Sequence, residues 1–120
     1  MSLKIIDLAD VLERVQGDKK LLLELLDIFV EDYQKKIKLL EKSVSDNDYG
    51  QAHSLAHSLK GASGNIGAKA IYETFFQLDQ MAKNNDLSQA ADILAEMTQC
   101  FKNLKERIAA LKKEFKEQLS

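Results

Sequence analysis

The chain has no proline, one cysteine, five glycines in 120 residues and no long apolar run. Each shortage removes something. Without proline no helix is forced to kink or stop, so breaks must come from glycine and polar turns. The single cysteine, Cys100, allows no intrachain disulfide and agrees with a reducing compartment. Beside Phe101 on an apolar stretch it reads as a small buried side chain, and no partner for a thiolate nucleophile is identifiable. The longest apolar runs, such as Leu21 to Leu23 and Ile28 to Val30, are far too short to cross a bilayer, and nothing ahead of Asp7 resembles a signal peptide. No membrane association is expected, and the cytoplasm is the expected compartment. An excess of positive charge is missing too. Seventeen basic residues are balanced by nineteen acidic ones, with no Lys/Arg cluster set apart, so nucleic acid is not an expected partner.

What is present is a spacing of three and four between apolar residues almost throughout, the mark of amphipathic helices. Asp7 can cap a short first helix that Gly17 ends. Asp18 then opens a longer one carrying Leu22, Leu26, Phe29, Tyr33, Ile37, Leu40 and Val44 on one stripe. The Ser45-Asp46-Asn47 cluster breaks that pattern and offers caps for a third helix, which runs to Gly67, a residue suited to a helix C-terminus. A fourth helix from Ala68 would bury Ile71, Phe75, Leu78 and Ala82 before the polar turn Asn84-Asn85-Asp86. Asp86 with Gln89 resembles a capping box, so the last helix should begin there. It carries Leu94, Met97, Phe101, Leu104, Ile108, Leu111 and Phe115 and should be the longest.

These lengths and short connections predict an all-α protein, an antiparallel up-and-down four-helix bundle with the short N-terminal helix as a lid. A chain of 120 residues has room for one core, so residues 1–120 are expected to form a single domain, with residues 1–3 set apart from it. An extended dimeric coiled coil is the competing arrangement, but the polar breaks near Asp46 and Asp86 make folding back easier. A monomer is expected, with dimerisation through the last helix left open.

The third helix carries the chemistry. Turning each residue by about 100° places Ala52, Leu55, Leu59, Ala62 and Ile66 on the core side, with Ala56 and Ser63 at its flank. The opposite side collects Gly50, His53, His57, Gly61 and Gly64, with Ser54 and Lys60 on the shoulders. His57 thus points away from the bundle. A solvent-facing histidine is ordinarily only a surface residue, so exposure alone assigns it nothing. The glycines change the weight. Each costs roughly 0.5–1 kcal/mol relative to alanine inside a helix, and Gly61 and Gly64 follow His57 along one stripe. Packing against the N-terminal helix or fraying near Gly67 would account for Gly64. Gly61 is better explained as a gap that lets another protein reach the imidazole.

Imidazole has an unperturbed pKa of about 6.5 and is a competent nucleophile near neutral pH. A phosphoryl group would suit it, with the Lys60 ammonium and the Ser63 hydroxyl as the nearest partners for the added negative charge. No kinase machinery accompanies them: there is no GxxxxGK[ST] loop, no kinase-type glycine loop and no carboxylate cluster for a nucleotide-bound magnesium. The donor must come from outside. His53, one turn before His57, has the spacing of a two-histidine metal site, but the glutamate of HExxH and a third ligand are missing, so no metal is expected. With Gly64 it is instead a candidate lining residue of the binding surface around His57 and Gly61. Phe76, beside the core residue Phe75, is a candidate for a docking patch.

The stretch AHSLKGASGNIGA, residues 56–68, resembles the signature of histidine-containing phosphotransfer domains, in which His-x-Leu-Lys-Gly is followed by small residues and Gly-Ala. His57, Leu59, Lys60, Gly61, Ser63, Gly67 and Ala68 fall where that pattern has them. The region from Asp7 through Phe29, Asp32 and Asp48 also looks like the family's N-terminal part, though more loosely. The resemblance implies a four-helix-bundle phosphocarrier in a multistep phosphorelay, exchanging phosphoryl with aspartyl-phosphate receiver domains of response regulators. It implies His57 as phospho-acceptor, Lys60 as a group stabilising phosphoryl oxygens, and Gly61 as the opening for the receiver. No cofactor of its own is implied, since the receiver supplies magnesium. Some members place glutamine or arginine on the fourth helix beside the histidine. The comparable turn here offers Asp79, Gln80 and Lys83, of which Gln80 and Lys83 are the candidates to reach the phosphoryl group. Three alternatives remain: a module cut from a hybrid or chemotaxis-type sensor kinase, a purely structural helical interaction module, and, last, a two-histidine metal site.

Overall fold

The computed structural model describes residues 4–119, which form five helices: α1 (Leu8–Arg14), α2 (Lys19–Ser45), α3 (Tyr49–Asn65), α4 (Lys69–Lys83) and α5 (Ala90–Leu119). Three helices start with the same device. The carboxylates of Asp7, Asp18 and Asp48 accept from the N–H groups of Asp10, Leu21 and Gln51 at 3.3, 3.0 and 3.1 Å. Each satisfies an amide left without a partner in the first turn, worth about 1 kcal/mol over alanine.

The helices also stop alike. Gln16, Asn47, Gly67 and Asn85 are all left-handed, with φ of 56°, 54°, 66° and 56°. At each turn the next N–H reaches back to a last-turn carbonyl: Gly17 to Leu12 at 2.7 Å, Asp48 to Ser43 at 2.8 Å, Ala68 to Ser63 at 3.0 Å and Asp86 to Met81 at 2.9 Å. This is the Schellman ending, and asparagine tolerates its backbone conformation better than other residues with a Cβ.

Two expected boundaries change for this reason. The Ser45-Asp46-Asn47 cluster ends α2 rather than capping α3, because Asn47 takes the left-handed position and Asp48 the cap. Asp86 and Gln89 make no capping box. Asp86 instead accepts from the Ser88 N–H and hydroxyl at 3.1 and 2.6 Å, a side-chain turn that delays α5 to Ala90. Gly17 does close α1, but as the second of two left-handed residues.

The four long helices form a closed ring, α2 against α3, α3 against α4, α4 against α5 and α5 back against α2, with consecutive members antiparallel across short turns. Leu22, Leu26 and Leu40 of α2, Leu59 of α3, Ile71, Phe75 and Leu78 of α4, and Met97, Leu104 and Leu111 of α5 are completely enclosed. Each such side chain contributes about 1.5–3 kcal/mol relative to exposure. Tyr33 stacks on Phe101 with centroids 3.8 Å apart, and its burial, then Glu41 and Cys100, push the phenol far above its ordinary range. Cys100 is half-buried, and burial followed by Glu96 raises its thiol too, which leaves it an inert packing residue.

The α1 segment covers the end of the bundle where α3 turns into α4. Val11 is fully buried there, the Asp7 N–H donates to the Gly67 carbonyl at 2.8 Å, and the Ala70 N–H donates to the Lys4 carbonyl at 3.2 Å. Among the described residues no strand is present, and no helix is long and apolar enough to cross a membrane.

Candidate functional site

The outward ridge of α3 is bare on either side of its two histidines. A Cβ on Gly61 would meet no heavy atom within 4 Å, and one on Gly50 only the Asp48 carboxylate at 3.9 Å. Gly64 differs: Tyr72 lies 3.4 Å from where its Cβ would be, and the Arg14 guanidinium donates to its carbonyl at 3.4 Å. The clearing therefore runs from Gly50 to Gly61, and Gly64 belongs to its closed end against α1 and α4. Within it the His57 side chain is 66% exposed.

The ring is nonetheless held from behind. Asp79 of α4, only 3% exposed, projects into the seam between α3 and α4. Its Oδ2 lies 3.4 Å from His57 Nδ1 and accepts from Lys60 Nζ at 3.0 Å, while Oδ1 lies 2.6 Å from His53 Nδ1. The His53 approach is at ion-pair distance with the ring turned off the hydrogen-bonding direction. Burial alone would raise the Asp79 carboxyl. The hydrogen bonds from Lys60 and His57, with the charges of Lys60 and His53, outweigh it and hold the group below the ordinary carboxylate value of 3.8. Asp79 is therefore ionised, and an ionised carboxylate can only accept. A ring nitrogen facing it carries the proton, so His57 keeps Nδ1–H inward and turns the Nε2 lone pair outward. That is the nucleophilic tautomer.

Lys60 is largely covered, with its ammonium 5.5 Å from the ring centroid of Phe76, a residue 39% exposed on the α4 side. On the α2 side, Lys36 donates to the Ser58 hydroxyl at 2.8 Å and pairs with Asp32 at 3.1 Å, which brings a second ammonium to the residue next to His57. Further along that side Ile28 is 61% exposed, at the edge of a cavity of about 240 Å³ shared with Leu25, Phe29, Ala62, Asn65 and Ile66. Apolar side chains thus flank the clearing on both neighbouring helices.

Ser63 does not belong to the site. It is completely buried and its hydroxyl donates to the Leu59 carbonyl one turn back, the usual outlet for a serine inside a helix. On α4 the residue brought to His57 is Asp79 rather than Gln80 or Lys83. Gln80 lines a groove with Phe76, Gln77 and Met81 along α4, and Lys83 is exposed in its last turn. A readable signal existed for Asp79. It lies four residues after Phe75 on the apolar stripe, and a charge in a core stripe needs a partner from another helix. Lys36 had no such signal, because a lysine on an exposed helix face is the commonest of surface residues. Among the described residues no group of three or more His, Cys, Asp or Glu side chains is arranged to hold a metal ion.

Residues 24–114 match the family model for the Hpt domain. The chain belongs to the Hpt domain family. The phosphorelay intermediate protein rdeA of Dictyostelium discoideum is similar at 27% identity over 82 residues, which is 68% of this chain. The chain spans about a third of that relative's length, 32%. The histidine-containing phosphotransfer protein B of Pseudomonas aeruginosa PAO1 has the same fold, with a TM-score of 0.85 over 94% of this chain and 98% of that one, at 22% identity. Since 24–114 contains α3, α4 and most of α2 and α5, this Hpt match includes every residue of the His57 clearing.

Proposed function

We propose that the protein is a phosphoryl carrier of a two-component phosphorelay, with His57 as the acceptor and receiver domains of response regulators as its partners. The observation that carries this reading is an exposed imidazole whose inner nitrogen faces a buried carboxylate, beside a glycine with open space around it. In the transfer, the His57 Nε2 lone pair attacks the phosphorus of the receiver's aspartyl phosphate in line. The N–P bond forms, the P–O bond to the acyl carbon breaks, and the bonding pair leaves with the receiver's carboxylate. The ring gains positive charge, which Asp79 offsets through Nδ1–H.

Lys60 is one helical turn along the same side and exchanges its bond to Asp79 for phosphoryl oxygens. The receiver brings the magnesium and the acidic pocket; this chain brings an oriented imidazole and a surface rimmed by Phe76 and Ile28. It is then a carrier without kinase activity, acting as one domain in the cytoplasm where receivers are found. A hybrid sensor kinase is a suitable source of the phosphoryl group upstream.

The test is transfer from a panel of phosphorylated receiver domains to the native chain and to His57→Gln, with acid-labile phosphate mapped by mass spectrometry. Label at His57 that vanishes in the variant is the expected result. A well-folded native chain that takes no label from any receiver would overturn the reading.

A further inference from the structure

His53 approaches the same carboxylate as His57 from one turn earlier on α3, at ion-pair distance rather than in a hydrogen bond. The two rings lie with centroids 5.9 Å apart and planes 34° to one another, and both bring Nδ1 to the same carboxylate, His57 in a hydrogen bond and His53 in close contact off the hydrogen-bonding direction. They divide it. His57 and Lys60 share Oδ2, at 3.4 and 3.0 Å, whereas Oδ1 has His53 at 2.6 Å. A carboxylate held by one ammonium at one oxygen is free to pivot about that bond. A second group at the other oxygen fixes its plane, and the fixed plane determines whether Oδ2 stays turned toward His57.

We infer that His53 is a positioning residue for the phosphoryl acceptor: it holds Oδ1 of Asp79, so that Oδ2 remains aimed at Nδ1 of His57. This rests on His57 being the acceptor. The role grows once the phosphoryl group arrives. Lys60 then turns to phosphoryl oxygens, and Asp79, 3% exposed, loses its ammonium and keeps only the His57 Nδ1–H while a new negative group arrives nearby. His53, 44% exposed and touching no reacting atom, stays on the carboxylate through the exchange. It keeps Asp79 compensated while Lys60 is engaged elsewhere. Its partial exposure also means that shortening the side chain opens no core cavity, so its loss should reach the chemistry without unfolding the bundle.

The experiment uses two readouts on the whole chain. Long-range ¹⁵N–¹H correlation of the imidazoles reports which nitrogen of His57 carries the proton, without any partner. Uptake from a phosphorylated receiver reports the consequence. His53→Ala is expected to lose the Nδ1–H preference of His57 and to accept phosphoryl about tenfold more slowly, the scale of one contact to a charged group. Its thermal midpoint should stay near the native one. His53→Asn, whose amide nitrogen occupies the place of Nδ1, should restore both, and His53→Gln, whose amide lies further out, should not. Native uptake and an unchanged His57 proton in His53→Ala would overturn the assignment. So would label on His53 itself in the His57→Gln background, which would make it an acceptor. A native chain that takes no label at His57 would overturn the proposed function, while the ¹⁵N readout would still decide whether His53 orients the ring.

Discussion

Gly61 and Gly67 stand six residues apart near the end of α3 and are glycines for opposite reasons. Gly67 is enclosed by its own chain: its φ is +66°, and a Cβ there would lie 2.4 Å from Val11 Cγ2 and 3.2 Å from the Asp7 carbonyl. Gly61 sits inside the last turns of α3 with ordinary dihedrals, exposed, and a Cβ there would touch nothing within 4 Å. The first glycine is demanded by the fold. The second costs the fold helix stability and returns nothing to it, so its use lies in what approaches from outside. The same helix thus separates residues that build the bundle from residues that serve the ridge, and a side chain added at each should fail in a different assay.

The largest effect is expected at the enclosed position. Gly67→Ala puts a Cβ into a left-handed residue, costing about 1–2 kcal/mol, and crowds Val11 for about 1–3 more. Urea unfolding should show a loss of about 3 kcal/mol, while phosphoryl uptake per folded molecule stays native. A loss below about 1 kcal/mol would mean that α1 simply lifts away, and the contrast between the two glycines would weaken. Gly61→Leu should do the reverse. Its side chain stands one turn from His57 where the receiver must come within bonding distance, and a displacement of this kind costs about 100-fold in rate. The unfolding midpoint should not fall. Full uptake from a receiver by a folded Gly61→Leu chain would remove the reason offered for the clearing.

The same division explains how much could be read in advance. The Gly67 ending, the Asp7 and Asp18 caps and the stripes of α2, α4 and α5 are local: they depend on residues three or four apart, and the helical wheel finds them. His57 and Gly61 were legible because the ridge departs from local preference. Asp79 was legible only as a charge on an apolar stripe that needed a partner; which partners was not, because those lie 19 to 26 residues away and depend on how α3 rotates against α4. Ser63 misled for a related reason. Its place in the motif pointed to phosphoryl oxygens, but at the flank of the stripe a few tens of degrees decide between solvent and the Leu59 carbonyl. The start of α3 slipped by a residue or more because Asn47 can equally be a cap or a left-handed stop.

Asp79 lies beneath the ridge and ties it to α4, and replacing it sharpens the comparison with a middle-sized effect. Asp79→Asn leaves the largely covered Lys60 ammonium without its anion, and about 2 kcal/mol of stability should be lost near neutral pH. The pH dependence has a definite sign. A carboxyl held low in the folded chain takes up its proton more readily when unfolded, so its contribution is complete above 3.8 and disappears as pH falls from there through the folded value. Stability of the native chain should therefore drop more steeply below pH 3.8 than that of Asp79→Asn, and the two curves should converge on acidification. Parallel curves in acid-unfolding experiments would show that Asp79 is no better compensated folded than unfolded.

The smallest effect is the most discriminating. Gly61→Ala adds one methyl to open space on an exposed helical turn. By helix preference alone the bundle should gain roughly 0.5–1 kcal/mol, seen as a higher midpoint in urea. The methyl stands on the approach to His57, and the flat contact a receiver needs there should make uptake slower even as the protein becomes more stable. A gain in both stability and uptake would mean that the glycine serves neither the fold nor the encounter. Greater stability with slower transfer is what separates the ridge from the turn at Gly67, where the same added methyl should weaken the bundle and leave the chemistry of each folded molecule untouched.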